Sequence, residues 1–238
     1  DSTTGIGIYS MSVQQGTFTF NPTVGTWYHL AIVRNGTTLY FYVDGSLRQT
    51  MAFSADVNPS ANLYIGSSQH TTGQVINAVM DEIRISNVAR SPEEIKQDAQ
   101  RFPYAVYTSP VIDLTTNIGW TNLTWTGKGI RTAAIPDGET PISTTNLVAS
   151  WNFNETSGTT AASGGSCGAT CNGTLAAGFA STASQDQAAG TGWTANNRRW
   201  GAGALMFDGT NDYVNVADNA NLDFAATDNF TLSAWIKT

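Results

Sequence analysis

The sequence predicts an all-β protein built as an antiparallel sandwich, with one short helix near residues 91–102. Apolar and polar residues alternate in several short segments, as in Thr38–Val43, where Leu39, Phe41 and Val43 fall on one side of an extended chain. Charged residues make up only 12% of the 238 residues, about half the usual share for a globular domain. Thr, Ser and Asn supply the remaining polarity, a composition typical of extracellular β-proteins.

Turn signals separate the predicted strands of the first hundred residues. Asn35-Gly36 and Asp44-Gly45 are strong two-residue hairpin signals, because both positions tolerate positive φ. The strands predicted on either side of these turns and beyond them are 27–34, Thr38–Val43, 46–51, 63–66 and 79–85.

The helix prediction depends on a capping pattern. Ser91 is a suitable N-cap, Pro92 fits the first helical position, and Glu94 follows three residues after the cap. Apolar residues then recur at helical spacing on one face, at Ile95, Ala99 and Phe102.

The second half of the chain divides into two parts. Residues 103–145 contain two strand-like segments, 109–114 and 120–125, followed by a linker rich in Gly, Pro and Thr, so we expect a linker or a short β-strand strap. From residue 146 a new pattern begins, with strands predicted at 147–153, 205–207, 213–216 and 230–236 around a loop-rich stretch, 154–200.

Long ordered motifs resemble laminin-G-like jelly-roll domains of the concanavalin A-like lectin/glucanase superfamily. WYHLAIVRNGTTLYFYVDGSL resembles their central hairpin, and LYIGSS with MDEIRISNVARSPEEI resembles their closing strand and helix. LVASWNFNETSGTTAAS, RWGAGALMFDGTNDYVNV and FTLSAWIKT resemble their opening strands. The resemblance covers residues 1–102 and 146–238 and implies an antiparallel jelly-roll β-sandwich.

The two parts of this pattern stand in reverse order, since 1–102 is the closing half and 146–238 the opening half. In one interpretation the chain is cut from an array and holds the end of one module and the start of the next. In the other, the halves complete each other within one chain or between chains. A half alone leaves a sheet edge and an apolar face exposed.

Charge and cysteine content restrict the partners and the compartment. The net charge of -7 disfavours nucleic acid and anionic membrane surfaces, and suits a metal cation or a neutral glycan. No apolar run approaches the roughly 20 residues of a membrane-spanning helix.

Cys167 and Cys171 are expected to form a small disulfide in an oxidising compartment, free thiols being the alternative. We therefore expect an extracellular or cell-surface location.

Catalytic signatures are absent from the sequence. Glycoside hydrolysis requires a pair of carboxylates across the scissile bond. Asp81 and Glu82 are neighbours on one predicted strand, and an extended segment would point them to opposite faces. His29 and His70 stand apart, with no Ser or Cys motif beside either. We expect a non-enzyme.

The segment FDGTNDYV contains candidate calcium ligands. Asp208, Asn211 and Asp212 lie within five residues, and calcium takes six to eight oxygen ligands of this kind. The alternative is an ordinary turn, because Asp-Gly and Asn-Asp favour local hydrogen bonds. Asp81 is a further candidate ligand, or simply a solvated strand residue. Pentraxin-like sandwiches, which this chain resembles in fold, bind calcium through an acidic loop. The corresponding loop here, 67–70, holds no carboxylate.

Exposed aromatic rings are the other candidate ligand-binding groups, because a sugar ring stacks its C–H face on them. Tyr40 and Tyr42 share the strand face opposite Leu39, Phe41 and Val43. The candidates are Tyr40, Tyr42, Trp193 and Trp200; ordinary cross-strand packing is the alternative for the tyrosines.

The function that these observations favour is a non-catalytic extracellular recognition or adhesion module that binds glycan or protein, with calcium as a candidate cofactor. Two alternatives remain open. One is a structural repeat unit of a cell-surface array or filament whose partner is its own copy. The other is an accessory domain of a glycoside hydrolase.

Overall fold

A computed structural model describes residues 6–10, 13–57, 60–67, 75–100, 143–176, 178–180, 182–186 and 190–238. These residues form fourteen strands, one α-helix and two 3₁₀ helices. The strands are β1 (Ile6–Ser10), β2 (Val13–Phe18), β3 (Trp27–Asn35), β4 (Thr38–Val43), β5 (Ser46–Ala52), β6 (Leu63–Ile65), β7 (Asn77–Ser86), β8 (Leu147–Trp151), β9 (Thr160–Ala161), β10 (Gly173–Leu175), β11 (Gly192–Thr194), β12 (Ala204–Asp208), β13 (Val214–Val216) and β14 (Phe230–Lys237). The helices are α1 (Pro92–Ala99) and the 3₁₀ turns Gly168–Cys171 and Ala220–Leu222.

The main sheet has the order β11-β12-β7-β14-β3-β4-β5, with β8 beside β12 on the same edge of β7. β14 lies at its centre and pairs antiparallel with β3 on one side and β7 on the other. β14 belongs to the segment 146–238, whereas β3 and β7 belong to 1–102. The two segments therefore share one sheet within a single chain, which differs from the array interpretation that assigns them to separate modules.

A second layer faces this sheet. It consists of a four-stranded sheet, β6-β13-β10-β9, and a separate hairpin, β1-β2. Strict alternation directs Val214 and Val216 of β13 inward, where both are fully buried. They join one apolar cluster with Phe41 of β4, Trp151 of β8 and Phe207 of β12. The core is thus built from both segments of the chain, as a two-layer sandwich requires.

The helix α1 covers part of the outer face of the main sheet. Ser91 and Glu94 form the predicted capping box, and each side chain accepts a hydrogen bond from the other residue's backbone N–H. Ile95 is buried in a small cluster with residues of β3 and β4. A buried ion pair, Arg84 Nη1 to Asp98 Oδ2 at 2.7 Å, joins the helix to β7. The prediction of a short helix here is confirmed, with α1 as the one α-helix of the described residues; Phe102, at the end of the predicted range, lies outside them.

The all-β sandwich is confirmed, and each strand predicted within the described residues is present with small shifts at its ends. Sequence patterns missed β1 and β2, and also the short strands β9, β10 and β11 inside the stretch expected to be loop. The strand-like segments 109–114 and 120–125, and most of the linker, lie outside the described residues. No helix in the described part of the chain has both the length and the apolar character to cross a bilayer.

A buried arginine links the two segments. Arg34 of β3 is fully buried, and its guanidinium donates to three backbone carbonyls: Gly36 at 3.1 Å, Ala55 at 3.0 Å and Ala225 at 3.1 Å. Nearby, the Gly36 N–H donates to Asn229 Oδ1 at 2.8 Å. Backbone oxygens from both segments therefore depend on one cation for their hydrogen bonds.

Replacing Arg34 tests this connection. The substitution Arg34→Met keeps the length of the side chain but removes the donor of three backbone carbonyls, so we expect a loss of about 3 kcal/mol in the free energy of unfolding. Urea unfolding followed by tryptophan fluorescence measures it. Arg48→Met, at an exposed position of β5, is the matched control. Equal stability of the two variants would contradict the structural role of Arg34.

Candidate ligand-binding site

The outward face of the four-stranded sheet carries a row of polar and aromatic side chains. Tyr64 of β6, Asn215 of β13, Thr174 of β10 and Thr160 of β9 are direct cross-strand partners. Their neighbours along each strand point into the core, so alternation turns this row toward solvent. Both threonines are exposed, and Tyr64 and Asn215 are half-buried.

Two tyrosines stand at one end of this row. The rings of Tyr64 and Tyr213 lie edge to face, with centroids 5.8 Å apart and an interplanar angle of 72°. Tyr213 immediately precedes β13 and is half-buried, like Tyr64. Such pairs form a rigid amphipathic surface with a hydroxyl on each ring. We call Tyr64, Tyr213, Asn215, Thr174 and Thr160 the outer row.

Asn215 adds an amide beside the rings. Its Oδ1 is buried and accepts no hydrogen bond from the described part of the chain. A buried polar atom without a partner is uncommon in native proteins and calls for an explanation. A ligand hydroxyl next to the tyrosine pair would satisfy it.

The loop that precedes Tyr213 contains the predicted calcium ligands. The Thr210 N–H donates to Asp208 Oδ1 at 2.7 Å, and the Asp208 N–H donates to Asp212 Oδ2 at 3.0 Å. Gly209 has a positive φ of 78°. These are the local hydrogen bonds of an Asx-type turn, which was the alternative interpretation of this segment.

Asp212 is fully buried, and its Oδ1 has no partner among the described residues. Burial, reinforced by the negative charge of Asp208, raises the pKa of Asp212 to about 6. The described residues contain no group of three or more His, Cys, Asp or Glu arranged to hold a metal ion. The carboxylates of Asp208 and Asp212 and the amide of Asn211 therefore supply only some of the six to eight oxygen ligands that calcium takes.

Asp81 lies away from this loop. The prediction that it is a further ligand of a metal bound there is therefore wrong. Asp208 pairs with Asn77, four residues before Asp81 on β7. The Asp81 carboxylate is fully buried, and its Oδ2 accepts from the backbone N–H groups of Arg199 at 2.9 Å and Trp200 at 2.8 Å. It therefore anchors a loop of the main sheet.

The expectation that Asp81 and Glu82 point to opposite faces is also wrong. A β-bulge interrupts the register between β7 and β14, and Glu82 has a positive φ of 51° at this position. Asp81 is the direct partner of Trp235, and Glu82 lines a small outer-face crevice with that same tryptophan. Both carboxylates thus share one face, but only 0% and 3% of their surfaces are exposed.

Three of the four proposed sugar-stacking residues are buried, which corrects the expectation that their rings are exposed. Trp193 and Trp200 are each only 2% exposed, and Trp193 Nε1 donates to the Gly158 carbonyl at 2.7 Å. Tyr42 packs beneath α1 beside Ile95. Tyr40 is half-buried at the edge of the same cluster. Trp193 belongs to the core between the two layers, and α1 covers Tyr42.

The predicted disulfide between Cys167 and Cys171 is confirmed, with their Cα atoms 5.7 Å apart. It closes the 3₁₀ turn Gly168–Cys171, and the Cys171 carbonyl accepts a hydrogen bond from Trp151 Nε1 at 3.1 Å. The bridge therefore fixes a loop against the core.

Sequence reasoning missed the residues of the outer row. A signal was present, because in the segment 213–216 Tyr213 and Asn215 alternate with two valines. Nothing in the sequence indicated that Tyr64, about 150 residues earlier, would stand beside them.

The buried carboxylate of Asp81 predicts a pH dependence of stability. Burial, followed by repulsion from Glu82, raises the pKa of Asp81 well above its usual range. The folded state therefore keeps a proton that the unfolded state releases, and stability falls as the pH rises from the unfolded pKa through the folded one. Asp81→Asn retains an acceptor oxygen without the charge, so its stability relative to wild type should increase from pH 4 to pH 8.

Urea unfolding at several pH values provides this measurement, with Asp218→Asn at an exposed position as the control. A relative stability of Asp81→Asn that stays level or falls between pH 4 and pH 8 would contradict the prediction.

Comparison with known protein families is consistent with this architecture. Residues 3–96 match the laminin G model of the concanavalin A-like lectin/glucanases superfamily. Comparisons with curated proteins and with solved structures found no match. Modules of this kind bind carbohydrate or protein in general, are usually non-catalytic and are typically extracellular, although the superfamily includes glycosidases. Residues 3–96 of the chain are therefore similar to the laminin G-like part of the concanavalin A-like lectin/glucanases superfamily.

Proposed function

We propose that this chain is a non-catalytic extracellular recognition module that binds a neutral glycan on the outer row. The observation that carries the proposal is the half-buried Tyr64–Tyr213 pair beside an amide oxygen with no partner in the described residues. Aromatic faces suit the C–H face of a sugar ring, and amide and threonine groups suit its hydroxyls. The family match supports carbohydrate or protein as the ligand.

Charge supports a neutral glycan. The chain carries 18 acidic and 11 basic residues, so its net charge of -7 repels sulfated or uronic sugars. The side chains of the outer row are uncharged, which leaves hydrogen bonding and ring stacking as the binding forces. An uncharged oligosaccharide matches both features.

Two observations support the non-catalytic and extracellular parts of the proposal. The adjacent carboxylates Asp81 and Glu82 are buried, so they do not form an open acid–base pair across a sugar. The Cys167–Cys171 disulfide suits an oxidising compartment. We expect no release of reducing sugar from a polysaccharide that the protein binds.

Self-assembly by exchange of half-domains is the alternative function. β14 already pairs with β3 and β7 of its own chain, so the sandwich needs no second copy to complete its central sheet. We therefore favour glycan binding over the structural repeat unit.

Substituting the tyrosine pair tests the glycan site. Tyr64→Ala and Tyr213→Ala should each weaken binding to neutral β-glucan, xylan, galactan or mannan oligosaccharides by about tenfold, because each removes one aromatic contact worth roughly 1 kcal/mol or more. Glycan-array screening identifies the oligosaccharide, and isothermal titration calorimetry measures its affinity.

Tyr40→Ala is the matched control, since Tyr40 is a half-buried tyrosine on the other sheet. Binding that is lost in Tyr40→Ala but retained in both outer-row variants would overturn the proposed location. Absence of binding to any of these neutral glycans would overturn the proposed ligand.

Calcium assistance is a separate part of the proposal, and it centres on Asp208, Asn211 and Asp212. The high pKa of Asp212 supports it, because a nearby cation would relieve the cost of its buried charge. Backbone carbonyls or water must supply the remaining oxygens. Calcium would hold the loop that carries Tyr213, while the outer row itself makes the contacts to the glycan.

Chelation tests this part. EDTA should weaken glycan binding by the wild type severalfold and leave binding by Asp208→Asn unchanged, because that variant has already lost a ligand. Equal binding by the wild type in calcium and in EDTA would contradict calcium assistance and leave the tyrosine site intact.

A further inference from the structure

A cavity of about 250 Å³ lies between the main sheet and the second layer. Its floor is a row of aligned aliphatic residues on neighbouring central strands, Ile85, Leu232 and Ile32, with Ala234 beside them. Side chains from β6 and Trp151 of β8 line the opposite side and one end. Protein interiors seldom keep a void of this size, since side chains normally interdigitate to crystal-like density.

The lining is almost entirely apolar. Among the described residues that line the cavity, none carries a charge. Three bear a polar side-chain atom: Tyr64, Ser233, and Trp151, whose Nε1 donates to the Cys171 carbonyl. Ser233 pairs with Arg84 and Ala31 on the outer face of the sheet, so its hydroxyl points away from the cavity. A charged ligand would lose its hydration here without gaining a partner.

The cavity opens to solvent at Leu232. This residue lies in the middle of the central strand β14 and points inward, yet 38% of its surface is exposed. Its neighbours Ile32, Met80 and Ile236 are only partly buried, although they pack against the core. A small molecule therefore has a path to the space between the sheets.

We propose that this cavity is a binding site for one small uncharged hydrocarbon ligand. It differs in chemistry from the glycan site on the outer row, with which it shares Tyr64. A cavity of about 150 Å³ lined by aliphatic and aromatic residues holds benzene, so a volume of this size takes about ten carbon atoms. A short alkyl chain or a pair of fused rings has this size. The ligand binds by burying its apolar surface against the strand row and Trp151.

Calorimetric titration of the whole chain with 1-octanol tests the site, with octanoate as the charged counterpart of the same chain length. We expect saturable one-to-one binding of 1-octanol and at least about tenfold weaker binding of octanoate, because no lining group compensates the buried carboxylate. A rise in the melting temperature with 1-octanol is the second readout, since a ligand of the native state stabilises it.

A cavity-filling substitution supplies the decisive variant. Ala234→Leu places three additional carbons in the cavity and should weaken 1-octanol binding by at least about tenfold, the effect of losing roughly two buried methylene groups. Ala52→Leu makes the same change at an exposed position of β5 and should bind like the wild type. If Ala234→Leu fails to fold, Leu232→Gln at the partly exposed opening should weaken binding while retaining the fold.

Two results would overturn the proposal. One is the absence of saturable binding of 1-octanol by the wild type. The other is equal affinity of the wild type and a folded cavity variant, which would place the alcohol elsewhere on the surface. Neither result decides glycan binding, because Leu232 and Ala234 lie on β14 of the main sheet, whereas the outer row lies on the second layer.

Discussion

The insertion of β14 between β3 and β7 is the constraint on which the rest of the structure depends. This strand forms backbone ladders on both sides, with β3 over its whole length and with β7 around the bulge at Glu82. Because β14 comes from the second segment and its partners come from the first, neither segment can complete the sheet alone. The apolar cluster between the layers depends on the same pairing, since it contains residues of both segments.

Buried polar groups then fix the loops around this sheet. Arg34 holds three carbonyls from both segments, and Asp81 accepts from two backbone amides beyond β11. The ion pair of Arg84 with Asp98 holds α1 on the outer face. Each of these polar groups would be costly to bury without its hydrogen-bond partners. Each therefore favours the one loop position that supplies those partners, and stabilises it. Of these groups, Asp81 and the Arg84–Asp98 pair lie on the outer face of the main sheet, part of which α1 covers.

The two proposed sites follow from the second layer, which is smaller than the sheet it faces. Its outward face carries the tyrosine pair, and a cavity lies between its described strands and the centre of the main sheet. One site offers hydroxyls, an amide and ring faces, and the other offers hydrocarbon alone. The different chemistry of these surfaces leads to different ligands, a neutral sugar outside and a small apolar molecule inside.

Local pattern in the sequence was sufficient for the sandwich class, the turns at Gly36 and Asp44-Gly45, the capping box at Ser91 and the disulfide, because each depends on residues within a few positions. It was not sufficient for the sites. Trp193 and Trp200 carry the right chemistry, but the strands and loops packed over them decide their burial. The bulge at Glu82 turns two neighbouring carboxylates to one face, which strict alternation excludes. Only the tertiary structure brings Tyr64 to Tyr213, because that contact depends on the long-range pairing of β6 with β13.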